Sequence, residues 1–396
     1  MPHPGFSHGR GIMPELSIVI PTYNNCQFVE ACIRSATTQS FQDIEVIVVD
    51  DASTDSTLEV LDYLAKQDKR ITVIRHPCNK GTLQSRKTGV LAASGQFILL
   101  IDQDDEFAKE SFAHLHDFSQ QHPADIYHFA VNVDAASTAA QAAAQSMQQA
   151  LRPRYEQLHG TDILRWQFDP SQGFDWSVHH RMFRRDLLKR AYSLVPDTTL
   201  VLADDFLMTF IVDSLAIEYR STNQPWYIYH LGRGETYNRL ISLTDFLKIN
   251  HWNSTAFNLV SSFIRDNAKS IHRPDWKQRK QDALDKIIEQ NMSEWRNLLS
   301  VGEQLEALSS VRAAWPSDSI CAELYRFARD DCYAYLTRHS DDTAETNALR
   351  NTALLYFNLA NAMETESGFN ESNNQRLQLM KTTAISHLRD SGLISA

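Results

Sequence analysis

Four short apolar runs alternate with three helical segments in the first hundred residues, and this alternation limits the fold more than any other feature. The runs are residues 16–20, 44–49, 71–74 and 97–101, and the segments between them are 27–38, 56–66 and 82–93. In the first segment Phe28, Cys32 and Ala36 recur at helical spacing. The second opens with Ser56-Thr57-Leu58-Glu59, the pattern of a capping box. Strands alternating with helices predict parallel pairing through right-handed crossovers, hence an α/β sheet. The fourth run, Phe97-Ile98-Leu99-Leu100-Ile101, ends abruptly in Asp102-Gln103-Asp104-Asp105. Such a run is a buried strand, and it delivers its acids to the carboxyl edge, where open α/β sheets bind ligands. Clustered carboxylates stay ionised most readily around a cation. Oxygen donors suit Mg2+ or Mn2+, ions that accompany substrate phosphates. The alternative, a helix cap with a solvated acidic turn, accounts for one acid and leaves two unexplained.

Charge and length narrow the class. The 396 residues suffice for two or three domains, and a net charge of −11 argues against a nucleic-acid groove. Cys26, Cys32, Cys78, Cys321 and Cys332 are scattered without CxxC pairs, which argues against a structural zinc site or a disulfide framework and for free buried thiols in a reducing cytosol. No apolar stretch approaches the roughly 20 residues that cross a bilayer. Residues 1–13 are expected to be a disordered extension, with Met13 an alternative start; they lack the apolar core of a secretory signal. A cytoplasmic protein follows, with peripheral contact at the inner face of a membrane as a further expectation.

Further along, residues 126–133 predict a strand. Residues 135–151 are Ala/Gln-rich and nearly uncharged, which predicts a solvated helix; a flap over the acids is the alternative. Residues 176–185 lead into a helix at 186–192, and Asp204-Asp205 precede an apolar helical pattern that ends near 216. Two strands are expected at 217–220 and 226–229. From residue 243 the pattern is helical, punctuated by Pro274 and Pro316, with a polar linker at 370–374. The expected division is 14–242 for the α/β domain and 243–396 for an α-helical one.

Several blocks together resemble the family 2 glycosyltransferases. They are Ser17-Ile18-Val19-Ile20-Pro21-Thr22-Tyr23-Asn24, Val48-Val49-Asp50-Asp51-Ala52-Ser53-Thr54-Asp55, Asn79-Lys80-Gly81, and Ala93-Ser94-Gly95-Gln96-Phe97 running into the acids. Met182-Phe183-Arg184-Arg185-Asp186-Leu187-Leu188, Ala203-Asp204-Asp205-Phe206 and Trp226-Tyr227-Ile228-Tyr229-His230 are similar to the family's LFRR, ED and YYYR segments. The resemblance covers roughly residues 14–240. It departs at Asp204, where the family has Glu, at His230, where it has Arg, and at Ser85-Arg86-Lys87, where it often has Ala-Arg-Asn.

The resemblance implies a GT-A fold, a Rossmann-like nucleotide-diphospho-sugar sheet, and an inverting, metal-dependent transfer from a UDP-sugar. Asp104 is then the first ligand of Mn2+ or Mg2+, Asp105 an alternative or partner, and Asp102 a contact to the ribose or, through water, to the metal. Asp205 matches the general base, with Asp204 orienting it or raising its basicity; its position at a helix start fits an N-cap equally. Asp51 is matched to the uracil imide, and Pro21, Thr22 and Tyr23 to the uracil pocket, although Tyr23 also fits simple core packing. Asp50 caps or braces its turn. Arg86 and Lys80 are diphosphate contacts or solvated surface. His230 is a third metal ligand or a diphosphate contact, while His179 and His180 read as structural. Trp176 and Trp226 stack on a sugar or sit in the core, and Arg184 or Arg185 braces Asp204 or Asp205. The implied partners are the donor and a glycan or lipid-linked acceptor in surface-polysaccharide synthesis, with a homo-oligomer through the helical tail as a further expectation.

Competing classes lack their marks. Pro21-Thr22-Tyr23-Asn24-Asn25 offers neither the Gly-rich basic loop of a nucleotidyltransferase nor the G-x-G-x-x-G of a dehydrogenase. A phosphatase of the DxD type would carry its acids after the first strand. A non-catalytic sugar-nucleotide-binding or scaffolding protein acting through its tail stays open as the second reading.

Overall fold

In the computed structural model, β-branched and aliphatic residues build the strands as their pattern predicts. β1 (Leu16–Thr22) is buried along its whole length, and β2 (Ile44–Asp50) nearly so. The described residues are 14–135, 140–171, 173–233, 241–338, 343–367 and 374–395; the expected extension 1–13 and most of the linker 370–374 lie outside them. With β3 (Ile71–Arg75) and β4 (Phe97–Leu100) these strands form a parallel block in the order β3-β2-β1-β4. The crossovers are α1 (Val29–Thr37), α2 (Thr57–Gln67) and α3 (Thr82–Ala92). This is the βαβαβαβ unit the sequence predicts. The register pairs Thr22 with Asp50, so the turns that follow β1 and β2 lie side by side at the carboxyl edge.

The expected capping box of α2 does not form. Ser56 occupies the N-cap without a side-chain bond, and Asp55, one residue upstream, accepts the Thr57 amide at 2.9 Å.

The sheet then widens to nine strands with reversed directions. β5 (Glu106–Phe107) and α4 (Ser111–Gln121) follow the acids, then β6 (Ile126–Ala135), α5 (Gln141–Ala150), β7 (Gln157–His159), α6 (Thr161–Gln167), β8 (Arg181–Arg184), α7 (Arg185–Ser193), α8 (Asp204–Leu215) and β9 (Glu218–Leu231). The order continues β4-β8-β6-β9-β5, with β7 on β9; β8 runs antiparallel to β4 and β6, and β9 parallel to β6. The two strands expected at 217–220 and 226–229 are one continuous strand. Its register against β6 shifts between Phe129 and Val131, where Ala130 pairs with Pro225. Proline cannot donate to a ladder and is tolerated at such a bulge, which explains the gap in the sequence pattern. α5 packs on β6 through Ala143, Ala144 and Met147 and leaves its other face to solvent, the solvated-helix reading of this segment.

The chain divides into two compact units, Met1–Tyr237 with Thr255–Ala283, and Asn238–Ser254 with Leu284–Ala396. The first carries the sheet. The second draws on α9 (Leu243–Asn267) and α10 (Trp276–Leu298), followed by α11 (Val301–Ala314), α12 (Ser317–Thr337), α13 (Ala344–Ser367) and α14 (Gln375–Asp390). α12 packs on α13 and α14, and its fully buried Glu323 is paired with Arg326 and Arg376. Ser300 and Glu303 form a complete capping box at the start of α11.

Gly95 shows how tightly α3 returns to the sheet. A Cβ there would sit 2.8 Å from the Ser17 amide nitrogen and 2.9 Å from the Leu16 carbonyl carbon, and backbone does not yield as a side-chain tip does. Gly95→Ala should therefore cost about 1–3 kcal/mol by overpacking, read as a lowered midpoint in urea at unchanged slope.

Candidate active site

The carboxyl ends of β1, β2 and β4 meet the start of α8, and the acids gather there around one cation. Arg86, on α3 and 3% exposed, donates through Nη2 to Asp102 Oδ1 at 2.6 Å and through Nη1 to Asp204 Oδ2 at 2.8 Å. The same Nη1 also reaches Asp205. Burial opposes the charge of Arg86, but the three carboxylates outweigh it and raise its pKa well above the ordinary value. Arg86 is thus neither a solvated side chain nor directed to open space. It also supplies the brace expected of Arg184 or Arg185; Arg184 instead pairs with Asp125, and Arg185 with Asp186.

The carboxylates respond differently. Burial works against the charge of Asp102, but Arg86 and His179 overcome it and hold the group below its usual range. Burial raises Asp204 against the pull of Arg86. Burial, opposed by Arg86 and aided by the charges of Asp204 and Asp102, pushes Asp205 up to about 7. Neither acid of α8 caps its helix: the N-cap is Ala203, with φ of 60°, and no side-chain cap bond is made. That removes the N-cap reading of Asp205. In the first turn both acids still face the positive end of the helix dipole.

The remaining acids of the loop split by role. Asp105 is buried, its Oδ2 accepting from the Tyr227 hydroxyl at 2.7 Å and its Oδ1 from the His230 amide at 2.8 Å. Burial and the charge of Asp102 nevertheless push it up to about 8. Asp104 accepts from no other side chain among the described residues, and burial with the charge of Asp102 pushes it up to about 6. Raised carboxylates beside an ionised one are what a divalent cation relieves, so this all-oxygen set fits Mg2+ or Mn2+. His230 fits a ligand role less well, because its Nε2 faces Glu106 at 2.9 Å and its Nδ1 faces Asp134 at 3.1 Å.

Across the edge, Gln103 is the residue that sequence reasoning passed over. Its Oε1 accepts from Thr22 Oγ1 at 2.6 Å and from the Tyr23 amide at 2.9 Å, and its Nε2 donates to the Tyr23 carbonyl at 3.3 Å. A neutral residue in the middle of an acid run was the available signal. Pro21 lies in β1 paired with Val49, one residue before the strand ends, and Tyr23 is 42% exposed, so it is not a core residue. Asp51 is not a free acceptor: His76 Nδ1 lies 2.7 Å from its Oδ1, and the Lys80 and Gly81 amides donate to it at 2.8–3.1 Å. His76, just past β3, was likewise unmarked. Asp50 braces its turn through weak 3.4 Å contacts to the Ser53 amide. Trp226 lies in the core against Phe118 and Phe129, which excludes sugar stacking, while Trp176 is half-buried on Phe206.

Residues 17–191 match the family model described as glycosyl transferase family 2. The chain carries a family 2 glycosyltransferase domain. It is 30% identical over 218 residues to the uncharacterized glycosyltransferase EpsJ of Bacillus subtilis, covering 55% of this chain and 61% of that one. It is 36% identical over 115 residues to a Campylobacter jejuni GalNAc(5)-diNAcBac-PP-undecaprenol beta-1,3-glucosyltransferase, covering 26% and 37%. The chain thus spans well under the full length of either relative. The structure of S. aureus TarS 1–349 in complex with UDP-GlcNAc shares the fold, at a TM-score of 0.55 and 18% identity, covering 90% of this chain and 93% of that one. The fold is GT-A, with a helical C-terminal region.

Two measurements test this electrostatic account. Arg86→Met leaves three carboxylates around an apolar stem and should cost about 3–5 kcal/mol at pH 8, less at pH 5 where the acids take up protons. Asp105, with its folded pKa raised to about 8, favours the folded state at low pH and loses that advantage as pH rises. The melting temperature of Asp105→Asn relative to wild type should therefore climb between pH 5 and about pH 8 and level off above it.

Proposed function

We propose that this chain transfers a sugar, with inversion, from a UDP-sugar to a hydroxyl of a glycan or lipid-linked acceptor, in the making of a surface polysaccharide. The observation that carries this reading is the Arg86 guanidinium, which gathers Asp102 of the acid loop with Asp204 and Asp205 of α8. An acid loop suited to a metal diphosphate and a basic carboxylate thereby share one pocket edge.

The roles follow from the partners each group has. Asp104 would hold Mn2+ or Mg2+, with Asp102 in reach through water, and the cation would neutralise the departing diphosphate. Asp105, bonded at both oxygens, braces the loop rather than ligating. Asp205, poised at about 7, takes the proton of the acceptor hydroxyl, and Asp204 keeps to Arg86. A base facing the leaving group across the anomeric carbon gives inversion. Pro21, Thr22 and the exposed Tyr23 face the uracil, while Asp51 fixes the Lys80–Gly81 amides beside them. The donor assignment draws support from the UDP-GlcNAc bound to TarS, and the lipid-linked acceptor from the undecaprenol in the name of the Campylobacter relative. We assign the enzyme to the cytoplasm, meeting a membrane-borne acceptor peripherally; no helix of the described residues is long and apolar enough to cross a membrane. The helical unit is assigned to the acceptor or to a second copy of the chain.

The first test is UDP binding with and without Mn2+. Metal-dependent binding should weaken at least tenfold in Asp104→Ala; no binding to folded wild type would reopen other donors and the scaffolding reading. In turnover of a UDP-sugar, Asp205→Asn should lower kcat by about 10²–10⁴-fold with donor binding intact. The wild-type rate should rise with pH through about 7 as Asp205 loses its proton, and the variant should lack that limb.

A further inference from the structure

Behind the acid loop, three polar side chains from separate segments converge where no solvent reaches two of them. His128 lies on β6, His180 immediately before β8, and Asp175 in the loop between α6 and β8. His128 and His180 are fully buried, and the Asp175 side chain is 13% exposed. One ligand atom from each lies within 4.8 Å of the other two. His180 Nε2 is 3.4 Å from Asp175 Oδ1, and His128 Nε2 is 3.7 Å from Asp175 Oδ2.

The hydrogen bonds of this group are incomplete in a specific way. His128 Nε2, Asp175 Oδ2 and both nitrogens of His180 are buried without a hydrogen-bond partner. Buried polar atoms are nearly always satisfied, and four orphans in one place need an explanation. The second nitrogen of His128 is satisfied: Nδ1 lies 2.7 Å from the Tyr219 hydroxyl. When Nδ1–H donates to that hydroxyl, Nε2 is left as a lone-pair donor, the arrangement found behind metal-bound histidines.

We propose that His128 Nε2, His180 Nε2 and the Asp175 carboxylate form a structural site for a divalent transition metal of the zinc type, distinct from the cation at Asp104. Two imidazoles and a carboxylate are the donor set that zinc accepts. Ligands at about 2.0–2.2 Å in a tetrahedron are separated by about 3.3–3.6 Å; each imidazole already lies near that distance from one oxygen of Asp175, at 3.4 and 3.7 Å, and the three ligand atoms fall within 4.8 Å of one another. Coordination needs both rings neutral, so metal binding here would weaken as pH falls. Arg181, the neighbouring cation, directs its guanidinium elsewhere, to Gln167 Oε1 and the Asp175 carbonyl. Scattered cysteines do not bear on this site, because its donors are imidazoles and one carboxylate. Its function is positional. His180 precedes β8 and follows His179, whose ring packs 4.7 Å from that of Tyr227 and whose Nδ1 lies 4.0 Å from Asp102 Oδ2.

The test reads metal content, with no donor present, so it is independent of the proposed transfer reaction. The full chain is produced with Zn2+ in the medium, desalted, and analysed by elemental analysis. The expected result is about one zinc per chain, kept in Asp104→Ala and lost in Asp175→Asn and His180→Gln. If those variants fail to fold, X-ray absorption of zinc-loaded wild type decides, the expected shell being nitrogen and oxygen with imidazole scattering. Wild type that holds no zinc and gains no thermal stability from added Zn2+, or variants that fold and keep it, would overturn the proposal.

Discussion

One buried guanidinium organises this edge of the sheet. Without Arg86, Asp102, Asp204 and Asp205 would repel one another in surroundings that already penalise their charge. A planar fork that binds several carboxylates at once, and never loses its proton, suits that position; lysine would offer a single point charge. The arrangement also joins distant parts of the chain, since α3 brings the cation, β4 one acid and α8 the other two. A buried cluster of this kind is not cheap stability, because desolvation offsets most of its Coulomb gain. What it provides is fixed geometry, with the acids held at set distances and with different proton affinities.

The parallel block was plainly legible in the sequence. Residues 16–20, 44–49 and 97–101 are apolar because both faces of those strands are covered, whereas the run 71–74, on the edge strand β3, is only partly buried. The acid loop was legible for the same reason, since polar residues that follow a doubly buried strand must emerge at its end. β9 was read as two strands because the bulge at Pro225 interrupts the alternation that a strand is recognised by. The capping box of α2 was legible as a pattern but is not made: Ser56 forms no cap bond, and the side chain that reaches the helix start is Asp55, on the Thr57 amide.

The site residues that escaped notice share a property. Gln103 and His76 act through partners far away in sequence, on Thr22 and Tyr23 in one case and on Asp51 in the other. Arg86 stands out in the sequence as a cation, but its partners lie up to 119 residues downstream, and spacing alone cannot reveal that α3 meets the start of α8. Residue type shows what a side chain is able to do; only the tertiary fold decides which of several acids it does it to. Trp226 shows the converse, a residue suited to sugar recognition that the core has claimed.

The grip on Asp105 comes from β9, through the Tyr227 hydroxyl and the His230 amide, both downstream of the bulge at Pro225. In a strand, a shift of one residue turns every side chain to the opposite face. The bulge is therefore the vernier of the acid loop. Gaining or losing one residue there would leave β6 and the lower half of β9 in place, yet swap Tyr227 for a neighbour and let the carboxylates swing. Chain length at this single point sets their aim as surely as their chemistry does.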